Sequence, residues 1–229
     1  MEISKVGVCG AGLMGMKAVA EFQFSGSGFY VGDGFVITNR HIAQPWLADD
    51  RAQSLSSSVR GQPRLKKLNA YFPDHTQPIP LKFKVAGSRD DLAVCLFDVK
   101  DYPTDIPVIP LESDENVVEV GKTVVMMGFP SGIDRLLALL DDAESRSIQQ
   151  RYGGSLDSLL GHLAESRRIQ PLTTQGNITD VNSRRIAYDA RIVSAQVWTV
   201  FGEQQRVGAG PDEQVLVGAL RGLGPAWVE

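Results

Sequence analysis

The run "GSGFYVGDGFVITNRHIAQPW", Gly26 to Trp46, decides how the rest of the chain is read. It contains two short apolar segments around Asp33-Gly34. An Asp-Gly pair flanked by alternating apolar residues is a hairpin signal, because both turn positions favour positive φ. The second segment, Phe35–Thr38, runs directly into Thr38-Asn39-Arg40-His41. A histidine at the end of a buried strand is either a packed structural residue or a base held in a defined place. The outcome depends on what other residues the chain brings to it.

Outward from this run, the chain reads as many short strands. Candidates are Gly28–Val31, Phe35–Thr38, Leu65–Phe72, Leu81–Val85, Leu92–Val99 and Thr123–Gly128, then Gly176–Val181, Arg184–Ala190 and Val197–Phe201. Pro and Gly punctuate the gaps, and the stretch Pro103–Pro110 can connect two β subdomains. Short strands separated by turn residues predict an all-β sandwich or barrel. One region departs from this pattern. "DRLLALLDDAESRSIQQRYGGSLDSLLGHLAESRRI" carries leucines at helical spacing. It predicts two amphipathic helices, about 134–151 and 156–168, joined at Gly153-Gly154. His162 falls on the second and reads as a surface or packing residue.

The bulk composition is that of a globular protein. In 229 residues, 43% are hydrophobic and 22% charged, enough for a sizeable core. The net charge of −4 and the lack of a long basic run give no reason to expect a nucleic-acid partner. No apolar run is long enough to span a bilayer, so no membrane is expected. Cys9 and Cys95 form no metal spacing and do not fix the redox compartment. His41, His75 and His162 lie far apart in unlike contexts, so neither a metal nor a cofactor is expected. Glu2, four dispersed glycines and Lys17 argue against an export signal over the first twenty residues. The location stays open: a cytoplasmic one is favoured over a periplasmic or secreted one.

"KVGVCGAGLMG" holds Gly10, Gly12 and Gly15 at the dinucleotide-fingerprint spacing, with Asp33 downstream. The fingerprint needs a crossover helix and a second strand ending in the acid. The candidate helix, Leu13–Glu21, is cut off by Ser25-Gly26-Ser27-Gly28, and Asp33 belongs to a turn. A dinucleotide-binding protein is thus a remote alternative, and residues 1–25 read as a leader of uncertain structure.

Hydrolysis by a serine needs a base, a carboxylate to orient the base, and N–H donors for the oxyanion. His41 is the candidate base. Asp91, which opens the apolar strand in "SRDDLAVCLFDV", is the candidate orienting carboxylate. Either residue alone would read as structural.

Four blocks, "GSGFYVGDGFVITNRHIA", "RDDLAVCLFDV", "VGKTVVMMGFPSG" and "IAYDARIVS", resemble in order those of trypsin-like serine proteases, especially the HtrA-like branch. The resemblance covers Gly26 to about Ser194. It implies two antiparallel β-barrels of six-stranded type, 26–102 and 103–229, the second carrying the helical insertion 134–168. It implies endopeptidase activity on peptide or unfolded-protein substrates, with His41 as general base and Asp91, not Asp90, as its partner. Asp189-Ala190 matches the pair that leads into the nucleophile loop.

There the pattern breaks. The Gly-x-Ser-Gly-Gly-Pro motif should place its serine near Val197 or Trp198, where the chain reads "SAQVWTVFGEQQRVGAG". Ser194 lies about three positions early and lacks the flanking glycines. "VFGEQQRV" again resembles the segment that follows the motif, whereas the tail from 208 does not resemble the family's closing strands. Three accounts remain: a displaced nucleophile at Ser194, a peptide-binding pseudoprotease, or a disturbed reading frame. Loss of the nucleophile removes on the order of a millionfold in turnover.

Overall fold

The computed structural model describes residues 2–11, 16–88, 90–102, 105–112, 117–129, 132–182, 186–189 and 199–201. Ser194, Val197 and Trp198 lie outside these residues, as do Gly12 and Gly15. Within them, hydrogen bonding groups the strands into three four-stranded sheets, every pairing antiparallel. No described helix is long and apolar enough to cross a membrane.

The stretch before the opening run contributes two strands. β1 (Glu2–Ala11) and β2 (Met16–Gly26) form an antiparallel hairpin, and β1 pairs on its other side with β5 (Gln62–Ala70). The leader is therefore part of a sheet. The helix entertained over Leu13–Glu21 is replaced by strand from Met16 onward. The reason is visible in "EFQF", where aromatic and polar residues alternate with period two. The strand–turn–helix unit that a dinucleotide fingerprint requires is consequently not formed. Short β6 (Ile79–Pro80) completes this sheet, in the order β2-β1-β5-β6.

The second sheet holds the opening run. β3 (Gly28–Gly32) and β4 (Phe35–Thr38) are joined by the expected turn, with Asp33 at φ 50° and Gly34 at φ 81°. Glycine is required at position 34: a Cβ there would collide with the Phe97 carbonyl. β4 pairs with β8 (Ala93–Leu96), which pairs with β7 (Lys82–Ala86). β4 is buried on both faces. Val36 enters a core with Leu68, Ala70, Ile79, Ala93 and Cys95, contributed by both sheets. Ile37 faces the other way, against Phe29 and Leu92. This explains why Phe35, Val36 and Ile37 of β4 are all apolar rather than alternating with polar residues.

Two helical segments follow β4. α1 (Arg40–Ala43) is a single turn, and α2 (Asp50–Val59) is a helix for which the sequence reading had no expectation. Asp49 starts α2 by accepting from the Ala52 N–H at 2.9 Å. The Arg51 guanidinium beside Asp49 holds its carboxyl below the usual carboxylate range.

The third sheet has the order β11-β10-β9-β12, from β9 (Thr123–Gly128), β10 (Leu172–Val181), β11 (Ile186–Tyr188) and β12 (Thr199–Phe201). Val124, Met126, Ile178, Ile186 and Tyr188 form its core. Between β9 and β10 lies the helical insertion, as three helices instead of two: α3 (Gly132–Ala138), α4 (Asp142–Tyr152) and α5 (Leu156–Glu165). The expected first helix breaks because Asp141 caps α4, accepting from the Ala143 and Glu144 N–H groups at 2.9 Å each. Leu136, Leu137, Ile148, Leu160 and Leu163 pack with Tyr71 and Phe129 into a separate core.

Candidate active site

His41 owes its position to strand register. β4 and β8 pair with Thr38 opposite Ala93. The chain leaving β4 therefore emerges beside the chain entering β8, which brings Asn39–His41 next to Asp91. Thr38 is fully buried, and its hydroxyl donates to the Ser27 carbonyl at 2.8 Å. The Ser27 hydroxyl in turn accepts from the Phe129 N–H at 2.8 Å. The floor beneath His41 is thus tied across to the end of β9. Gly26 lets the turn of α1 sit close, since a Cβ there would strike the Ile42 side chain.

Asp91 grips His41 twice. The ring Nδ1 meets Asp91 Oδ2 at 2.5 Å, and the His41 backbone N–H donates to Oδ1 at 2.9 Å. A carboxylate on Nδ1 directs the Nδ1–H tautomer, leaving Nε2 as the basic nitrogen. Among the described residues, no hydrogen bond engages Nε2. The carboxylate in this contact is that of Asp91 and not of its neighbour Asp90. The His41 and Asp91 side chains retain 36% and 51% of their full exposure, so solvent reaches the pair.

The other sequence candidates lie elsewhere. Asp189, just past β11, accepts the Asn177 N–H on Oδ1 at 2.6 Å, and its own N–H donates to the Asn177 carbonyl at 3.2 Å. The Asn177 side chain also accepts from the Thr123 hydroxyl at 3.1 Å. Asp189 therefore locks β11 to β10. His75 packs edge-on against Phe72, and His162 stacks on Tyr152 with centroids 4.2 Å apart, a packing role. Cys95 is buried in the core shared by the first two sheets. Among the described residues, no group of three or more His, Cys, Asp or Glu side chains is arranged to hold a metal. Ser194 and the expected slot at Val197 and Trp198 fall outside the described residues.

Two contacts were not foreseen from the sequence. Asn39 Nδ2 donates to the Asp91 carbonyl at 2.9 Å, and Arg40 donates through a terminal guanidinium nitrogen to the Gly87 carbonyl at 3.2 Å. Their signal was present in the Thr-Asn-Arg-His run, but partners some fifty positions away cannot be read from spacing.

No curated protein matches the chain. A family model described as trypsin-like peptidase domain matches residues 26–203, from the strand before the Asp-Gly turn to beyond β12. The region matched spans all three histidines, Asp91 and Asp189, and the chain belongs to the trypsin-like peptidase family.

Proposed function

We propose that the chain is a serine endopeptidase by descent, of the HtrA-like branch and with the two-barrel architecture of that branch. It carries His41 as general base and Asp91 as the carboxylate that orients it. In the sequence as it stands it lacks the nucleophile. The observation that carries this reading is the double grip of Asp91 on His41, through the ring Nδ1 and the backbone N–H. In a complete site, Nε2 takes the proton of a serine as its oxygen attacks the scissile carbonyl. The imidazolium that results is stabilised by the carboxylate and returns the proton to the leaving amine.

No serine stands at Val197 or Trp198, and no Gly-Gly-Pro follows. Peptide turnover is then lower on the order of a millionfold than with the nucleophile in place. The family's glycines serve to aim backbone N–H groups at the oxyanion, and each donor left out of place costs roughly 3 kcal/mol. The expected result is no labelling by a fluorophosphonate probe and no hydrolysis of denatured casein. Covalent labelling at Ser194 would overturn this reading in favour of a displaced nucleophile.

A second reading is a pseudoprotease that binds an extended or unfolded peptide without cutting it. Its support is that the family-like blocks persist on both sides of the missing motif. Calorimetric titration with denatured casein, run beside the hydrolysis assay, separates the two. Saturable heat without cleavage supports binding, and no heat removes it.

A further inference from the structure

We propose that Asn39 is a positioning residue, whose side-chain amide fixes the backbone of the loop carrying Asp91 and thereby fixes the Asp91 carboxylate against the His41 ring. The proposal rests on the reading of His41 and Asp91 given above.

The physical need for such a residue follows from exposure. With 36% and 51% of their side-chain surfaces open, His41 and Asp91 form a hydrogen-bonded pair that water reaches. Pairs of this kind contribute little by themselves and do not hold two backbones together. The backbones must be held by other contacts if the carboxylate is to stay in register with the ring. Asn39 supplies contacts on both sides. Its backbone carbonyl accepts from the Ile42 and Ala43 N–H groups at 3.1 Å each, which winds the turn that carries His41. Its side chain reaches across to the Asp91 carbonyl at 2.9 Å. One residue therefore starts the element under the base and grips the element under the acid.

Arg40 supports the same loop from its far end. On the Asp91 side, the Gly87 N–H donates to the Leu92 carbonyl at 2.8 Å. Arg40 donates to the Gly87 carbonyl at 3.2 Å, while its Nε donates to the Gln44 side chain at 3.3 Å. The two residues immediately before His41 thus hold the two ends of the loop that presents Asp91.

Proton NMR on the full chain tests this without requiring turnover. The Nδ1–H proton shared with Asp91 gives a far-downfield resonance in the wild type that Asp91→Asn abolishes. Asn39→Ala keeps the backbone carbonyl that starts α1 and removes only the side-chain grip. It is expected to speed solvent exchange of that proton roughly tenfold, the order expected for one lost hydrogen bond. The backbone amides of β4 and β8 are expected to keep their wild-type exchange. An unchanged downfield resonance, or an equal acceleration of the β4 and β8 amides, overturns the proposal. Should Asn39→Ala fail to fold, Asn39→Ser keeps a polar side chain before α1 and is too short to reach the Asp91 carbonyl: faster Nδ1–H exchange with unchanged strand amides supports the proposal, and no change overturns it. A wild-type spectrum with no downfield resonance defeats the His41–Asp91 reading itself. That outcome is distinct from a resonance that is present and indifferent to Asn39.

Discussion

The junction around His41 and the helical insertion are built in opposite ways. The junction is polar and open to water, and its geometry is imposed from outside by the buried strands β4 and β8. The insertion makes its own core, with Leu160 and Leu163 fully buried among residues from α3, α4 and α5. Its links outward run through Tyr71 and Phe129 and through the Lys67–Asp157 ion pair at 3.2 Å. In the junction, a small displacement of backbone alters chemistry at modest cost in stability. In the insertion, a lost methyl group alters stability and leaves the His41–Asp91 geometry alone.

The largest effect expected is in the insertion. Leu160→Ala leaves a cavity among tightly packed helices and should destabilise the protein by about 2–5 kcal/mol. Urea denaturation measures the loss. The downfield His41 resonance should stay where it is, and its disappearance in the folded variant would break the separation drawn between the two regions. Gly26→Ala comes next and acts in the junction. The added methyl must displace Ile42, the neighbour of His41, at about 1–3 kcal/mol for overpacking. Here the resonance should shift along with the loss of stability. A shift without loss would mean that α1 moves freely, and a loss without shift that the junction absorbs strain elsewhere.

The parts legible in the sequence were those governed by local rules. The Asp33-Gly34 turn was legible because two positive φ values leave few residue choices. Thr123–Gly128 was legible from its apolar run and bounding glycines. The pairing of His41 with Asp91 came from resemblance to a family, since nothing in either local context identifies the partner. α2 was missed because its serines are weak helix formers and its stability rests on the Asp49 cap and the Arg51 guanidinium over the Phe22 ring. The break between α3 and α4 was missed because the leucines run up to Leu140, at the edge of the break, and the capping role of Asp141 just after them is not signalled by periodicity. The hairpin of β1 and β2 was obscured by glycines whose spacing imitates a nucleotide-binding turn. Asn39 and Arg40 were beyond reach for a different reason: their value lies in carbonyls brought near only by the β4–β8 register.

The smallest effect sharpens the boundary between the regions. Tyr71 lies where the first sheet meets the insertion: it follows β5, is fully buried, and packs into the core of the insertion. Burial pushes its phenol above its ordinary value near 10, the Asp157 carboxylate adds to the rise, and a hydrogen bond with Asn69 partly opposes it. For an acid whose folded pKa is raised, the neutral form is favoured by folding. The stabilisation is complete below the unfolded value and is lost as pH rises through the folded one. Stability should therefore fall as pH climbs above about 10, and Tyr71→Phe should flatten part of that fall. Denaturation midpoints of the two proteins across the alkaline range provide the check. Equal slopes would mean that the contact between Tyr71 and the insertion opens before the phenol ionises, and the insertion would then hold Tyr71 less firmly than its burial implies.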